Sequence, residues 1–185
     1  MHFELSSFYK RDTTFDYDIG KNSLDVSTLR KGERIADENT LLYEVDKIDS
    51  YLKDYDVLPA TFAPLVSLKF KNLFSHLLKE IQFVPTLIGD SSGSQDDSFF
   101  VLNILTSIPC MDKERSIYEI KQYGKSSIMK IKELYIIDGS LNGHSIVRME
   151  EHKSYIIITE DFKNLCEQSN LKGFNFIEEG HSIYK

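Results

Sequence analysis

The stretch YIIITEDFKNLCEQSNLKGFNFI, residues 155–177, sets the fold class. Tyr155 to Ile158 is an apolar, β-branched run of strand length. Thr159 then stands as a helix cap, and Phe162, Leu165 and Cys166 form a narrow apolar stripe at helical spacing through about Ser169. Gly173 ends the unit, and Phe174-Asn175-Phe176-Ile177 alternates as a further strand. A strand, a capped helix and a second strand within 23 residues point to an α+β domain.

Upstream, Ser67-Leu68-Lys69-Phe70-Lys71-Asn72-Leu73 echoes Thr159-Glu160-Asp161-Phe162-Lys163-Asn164-Leu165. Each has a cap-type residue, then Phe-Lys-Asn-Leu, then a Phe-containing strand some way on. A single echo lacks the period of a repeat array, so a structural relation between the two units and chance both stay open. Residues 61–82 read as the clearest helix, with Val66, Phe70, Leu73, Phe74, Leu77, Leu78 and Ile81 on one face. Pro64 and Ser67 compete as its start.

Between these units lie short apolar runs separated by turns. Ile81 to Ile88 reads as a strand, and Pro85 suggests an edge. Gly89 to Ser98 is a polar loop. Phe99 to Leu105 is almost wholly apolar, as in a strand buried on both faces. Ser116 to Lys121, Ile128 to Ile137 and Ile146 to Met149 continue the strand series, with turns at Asp138-Gly139 and Asn142-Gly143. In the first 60 residues, Val26 to Leu29 and Leu41 to Val45 read as short strands, and Ile48 to Tyr55 as a helical turn or two. The whole predicts a largely antiparallel β-sheet with two main helices packed on it; a mostly β architecture is the nearest alternative.

The 185 residues fit one domain of about residues 58–185 preceded by an acidic N-terminal region, 1–57, of subdomain size. A chain that is 41% hydrophobic and 28% charged has ample core material without disulfides. Its two cysteines, Cys110 and Cys166, make no framework. No basic leader precedes an apolar run, and no stretch approaches 18 apolar residues, so a cytoplasmic protein without a membrane span is expected. The net charge of −7 disfavours nucleic acid and anionic membrane and suits a basic partner.

The motifs of chemistry fail one after another. Gly89-Asp90-Ser91-Ser92-Gly93 has the spacing of a nucleophile elbow, but a strand rather than a helix follows, so a serine hydrolase at Ser91 is a weak alternative. Gly124-Lys125-Ser126 resembles the end of a phosphate loop, yet Glu119 occupies the position of its first glycine. Asp16-Tyr17-Asp18-Ile19-Gly20 with Asp25 hints at a calcium loop, with the glycine one position early and no closing Glu. The five histidines lack metal-ligand spacing. No catalytic residue, metal site or cofactor is expected.

An ordered series of features resembles an immunity protein family of bacterial polymorphic-toxin systems, formerly a domain of unknown function. It runs from Leu58-Pro59 and Pro64-Leu65-Val66-Ser67 through Gln82-Phe83-Val84-Pro85 and Phe99 to Ile104. It continues with Met111-Asp112-Lys113-Glu114-Arg115-Ser116 and closes on Tyr155 to Lys163 and Leu171 to Phe176, covering roughly residues 58–180. The resemblance implies an inhibitor that binds a cognate toxin, with the toxin's gene alongside, and no enzymatic activity. Residues 1–60 carry 13 acidic and 8 basic residues. They supply the expected contact face: Glu33, Asp37, Glu38, Glu44, Asp46, Asp49, Asp54 and Asp56, with Tyr43, Tyr51 and Tyr55 as aromatic anchors. A scaffold module with no toxin partner is the other non-catalytic reading. Oligomeric state and the toxin's chemistry stay open.

Overall fold

A computed structural model describes residues 1–10, 13–36, 38–124 and 126–181. In chain order, β1 (His2–Ser7) and β2 (Asp16–Tyr17) precede α1 (Val26–Lys31) and β3 (Leu41–Val45). Next come β4 (Val57–Leu58), β5 (Leu65–Ser67), α2 (Leu68–Leu73) and β6 (Ile81–Asp90). They are followed by β7 (Gln95–Asp96), β8 (Phe99–Ile104), β9 (Ser107–Ile108), β10 (Ile117–Tyr123) and β11 (Ser126–Glu133). The chain closes with β12 (Ile146–Met149), β13 (Ile156–Thr159), α3 (Glu160–Gln168) and β14 (Phe174–Glu178).

The strands form two sheets and a ribbon rather than the single sheet expected. One sheet has the order β2-β3-β6-β8-β5-β4, with β7 paired to β6; the other runs β14-β1-β13-β12-β9. The hairpin β10–β11 stands apart. Pairing is antiparallel except for β3 with β6 and β9 with β12. The first expected helix is far shorter than read, with six residues in α2, whereas α3 runs between caps Thr159 and Ser169 as read.

The two Phe-Lys-Asn-Leu segments occupy matching places. In one sheet β5 leads into α2 and then β6, and β8 lies antiparallel between β5 and β6. In the other, β13 leads into α3 and then β14, and β1 lies antiparallel between them. Each is thus a split strand–helix–strand unit, flanked by a hairpin partner, β4 or β12. Ser67 Oγ accepts from Phe70 N at 3.2 Å, and Thr159 Oγ1 from Phe162 N at 3.3 Å. The helices meet where Phe74 stacks on Phe162 with centroids 4.1 Å apart. Phe70, Phe74, Phe162 and Cys166 share a core with Phe3, Leu5, Leu102 and Ile104 between the two sheets.

That central core explains the overlong helix read in residues 61–82. Val66 on β5, Phe70 and Phe74 around α2, and Ile81 on β6 all drain into it. A strand, a short helix and a strand feeding one core reproduce helical spacing by accident. β8 is buried on both faces as its composition requires: Phe99 and Val101 join an outer core, Leu102 and Ile104 the central one. Pro85 is not on an edge strand. It sits in β6 where the β8 ladder (Ile81–Pro85) ends and the β3 ladder (Thr86–Asp90) begins, so its missing N–H interrupts neither.

Val26 to Leu29 is helical, not a strand. Asp25 Oδ1 caps it through Ser27 N at 2.6 Å, and Gly32 closes it in the left-handed region. The helix is pinned to the sheet below. Gln82 exchanges two hydrogen bonds with the Ile35 backbone, and Asn103 Nδ2 donates to Glu33 O. The Asp112…Ser116 segment is a structural turn. Asp112 Oδ1 accepts from Glu114 N and Arg115 N, and Ser116 Oγ bridges to the Tyr135 backbone.

Ser67 does double duty, because its hydroxyl also donates to Asp56 Oδ1 at 2.7 Å. Ser67→Ala removes a cap and leaves Asp56 with one fewer donor. We expect a loss of about 1 kcal/mol, read from the urea midpoint at constant slope.

Glu4 is the odd residue of β1. Phe3 and Leu5 enter the central core, while burial pushes the Glu4 carboxyl up from 4.5 to about 7. No ion-pair partner reaches it among the described residues. The folded state therefore holds a proton that the unfolded chain has released, and stability falls as pH rises from about 4.5 through 7. Glu4→Gln should flatten that slope. After allowance for the hydrated part of the carboxyl, it should add about 2 kcal/mol at pH 8 and little at pH 4. Urea titrations at both pH values check this.

Candidate functional site

A groove of about 730 Å³ opens along β2, β3 and the outer end of β6. The local sequence explains its chemistry. In Phe15-Asp16-Tyr17-Asp18, period-two alternation turns the aromatics inward, Phe15 at 1% and Tyr17 at 5% exposure, and both aspartates outward. Tyr17 pairs with Tyr43, and their rings meet edge to face at 5.5 Å in the outer core. The next register row is polar: Asp16 lies opposite Glu44, and Glu44 lies beside Gly89, which has no side chain to fill the groove. Asp46 and Asp90 complete the wall.

Among the described residues, five carboxylates thus line the groove against one cation, Lys21. Lys21 Nζ is 2.7 Å from Asp18 Oδ2. Hydrogen bonding to Lys21 holds the Asp18 carboxyl below its usual range, and the Asp18 Oδ1 atom also accepts from Gly20 N and Lys21 N. Asp90 accepts from the Ser92 hydroxyl, Ile48 N, Ser94 N and Ser92 N, which lower its carboxyl to about 2. These two carboxylates are organised by local turns. Asp16 and Glu44 are different: they are exposed like charges directly opposite on paired strands, a repulsion that the attraction of Glu44 to nearby Lys21 offsets only in part.

The residues expected to form a contact face are dispersed. Glu44 and Asp46 join the groove wall, and Tyr43 lies beneath its floor at 2% exposure. Burial raises the Tyr43 phenol above its ordinary value. Glu33 follows α1, 3.7 Å from Lys31, and Glu38 is exposed in the next loop. Asp37 lies outside the described residues. Asp49 Oδ1 accepts from the Tyr9 hydroxyl at 2.6 Å and from Tyr51 N. Tyr51 lies under Lys10, Asp54 is exposed, and Tyr55 packs on Tyr9 and Phe8. Asp56 is tied to Ser67 and to Lys172 N. The sequence placed Asp16 and Asp18 only in a calcium-loop hint and Asp90 only in the Gly89–Gly93 motif, not on a contact face. For Asp16 and Asp18 the signal was the Phe-Asp-Tyr-Asp alternation, which resembles part of a calcium loop when taken alone.

The geometry does not make Ser91 a nucleophile. It lies in the turn joining antiparallel β6 and β7, and its hydroxyl donates to Asp46 O at 3.2 Å; an elbow needs a helix there. Asp25, the other member of the supposed calcium loop, caps α1. Gly124 forms the turn of the β10–β11 hairpin, and Lys125 lies outside the described residues. Cys110 and Cys166 are buried thiols that burial pushes up to about 12, far from thiolate character at neutral pH. Among the described residues, no group of three or more His, Cys, Asp or Glu is arranged to hold a metal ion, and no helix is long and apolar enough to cross a membrane.

No curated protein matches the chain. The model of an immunity protein family, Imm11, matches residues 27–181. That span begins well before residue 58 and takes in α1 and β3, including the Glu44 wall of the groove.

Proposed function

Because the chain belongs to the Imm11 immunity protein family, we propose that it binds a cognate bacterial toxin and neutralises it without catalysis. The toxin is of the polymorphic type and is encoded by a neighbouring gene, and the two meet in the cytoplasm. The acidic groove is the contact face. The observation that carries this reading is the Asp16–Glu44 pair, two exposed carboxylates in register on adjacent strands. Such a pair weakens the free protein and becomes favourable when a partner's lysine or arginine enters between the two. A basic toxin surface fits, and long-range attraction would speed its capture. Glu33, Glu38, Asp54 and Tyr51 are exposed as well.

Co-purification tests the proposal. The tagged chain is expressed in its native cells, washed at moderate salt, and its companions are identified by mass spectrometry. A stoichiometric toxin, above all the product of an adjacent gene, is the expected result. A clean preparation from cells shown to make the candidate toxin would overturn it in favour of a scaffold module.

A further inference from the structure

A second cleft, of about 670 Å³, shares no residue with the acidic groove. It opens between β1, residues 60–64, the β10–β11 hairpin, and the β12–β13 turn. In a chain of net charge −7 its walls run the other way: among the described residues, Lys121 (3.5 Å from Glu119), Lys130 and Arg148 line it against one lining carboxyl, Glu4. Burial leaves that carboxyl partly protonated near neutral pH.

Arg148 is the unusual group. It is 3% exposed, in the middle of β12. Its Nε donates to Ile104 O at 3.3 Å and its Nη1 to Lys153 O at 3.2 Å. Nη2 has no hydrogen-bond partner among the described residues, and none of the ion pairs found among them includes Arg148. Guanidinium stays protonated in proteins, so among the described residues this buried cation is met by two carbonyls and no carboxylate. The rest of the lining includes Phe62, Ile128, Met129 and Ile156, and Ile128 is 54% exposed. A ligand pocket typically has this size, an apolar lining and a few fixed polar groups.

We infer that this cleft binds a monocarboxylate with an apolar body, its carboxylate directed to Arg148 and its body laid against the β10–β11 hairpin. The carboxylate supplies the counter-ion that the fold omits, with Lys121 and Lys130 adding attraction at the mouth. A free organic acid and the C-terminal carboxylate of a protein chain share this chemistry.

Octanoate, with octanamide as its neutral counterpart, is the probe. Both are titrated into the full chain, followed by isoleucine and methionine methyl resonances. We expect octanoate to move Ile128, Ile156 and Met129, and octanamide to bind at least ~10-fold more weakly. Arg148→Met should abolish the discrimination. Should that variant not fold, Lys121→Gln with Lys130→Gln on the exposed hairpin should weaken octanoate roughly threefold and leave octanamide unchanged. N-acetyl-Leu-Leu assigns the source: tighter binding than octanoate indicates a chain terminus, weaker binding a free acid, and either supports the site. Equal affinity of octanoate and octanamide, or lining resonances that stay still with octanoate at about 5 mM, overturns the proposal. Either result leaves the toxin-binding reading intact, because the acidic groove is untouched.

Discussion

Gly173→Ala is expected to cost more than about 4 kcal/mol and to leave little folded protein at 37 °C. Gly173 has φ +103°, where L residues are strained, and a Cβ there would lie 2.0 Å from the Val57 carbonyl oxygen. The obstacle is backbone, so no rotamer change relieves it. The neighbourhood cannot retreat cheaply either. Lys172 O accepts from Asp56 N at 2.8 Å and Val57 N at 3.0 Å, and Gly173 O accepts from Phe8 N at 2.8 Å. The Asp56 carboxylate closes the stitch through Lys172 N. These bonds tie the start of β14 to β4 and to the chain leaving β1, so the two sheets are joined at this point. Gly139→Ala is the control. Its φ is +72°, with nothing within 4 Å of a new Cβ, so it carries the conformational cost alone, about 1 kcal/mol. Thermal and urea unfolding of both variants gives the answer. Equal losses would show that the close approach at Gly173 relaxes and that the stitch is soft.

The same residue shows how far sequence reading reached. Gly173 was recognisable as the end of the helical unit, because its place after an apolar stripe follows from local chemistry; the helix itself stops at Gln168, with Asn170 in the left-handed region. The Gly173 contact with Val57 was not recognisable, since it links positions 116 apart. The repeated Phe-Lys-Asn-Leu segments were visible for the same local reason, as were their caps Ser67 and Thr159. What escaped was the strand inserted between the arms of each unit. β8 follows its unit in sequence, whereas β1 opens the chain and reaches back to β13 and β14. No periodicity encodes that partnership, so one sheet was expected where two exist. The helix in residues 61–82 was overextended because spacing alone cannot separate one helix from three elements sharing a core. In the groove, Glu44 and Asp46 were in view as acids, one within a strand and one just after it. Asp16 and Asp18 were seen only as candidate cation ligands, because β2 is two residues long and its pairing with β3 supplies the face.

Charge reversal in that groove should separate binding from stability in opposite directions. In the triple variant Asp16→Lys, Asp46→Lys, Asp90→Asn, a positive residue faces Glu44 and the Asp90 anchor becomes neutral. Affinity for a toxin recovered by co-purification should fall about 100-fold at low salt, most of it through slower association. The single variant Glu44→Lys is sharper. It places a cation opposite Asp16, converting a repulsive cross-strand pair into an attractive one; losing the attraction between Glu44 and Lys21 offsets part of that gain, so the free chain should be stabilised by about 0.5 kcal/mol at most. The same variant should weaken toxin binding by more than about tenfold, since a lysine would now meet the partner's positive surface. Added salt should narrow the gap between wild type and variant, because screening acts on the exposed charges of the groove rather than on a packed core. A variant that melts higher and binds worse cannot be explained by damage to the fold. Were Glu44→Lys to melt higher and bind the toxin unchanged, the acidic groove would be a solubility feature, and the contact face would have to be sought elsewhere on the molecule.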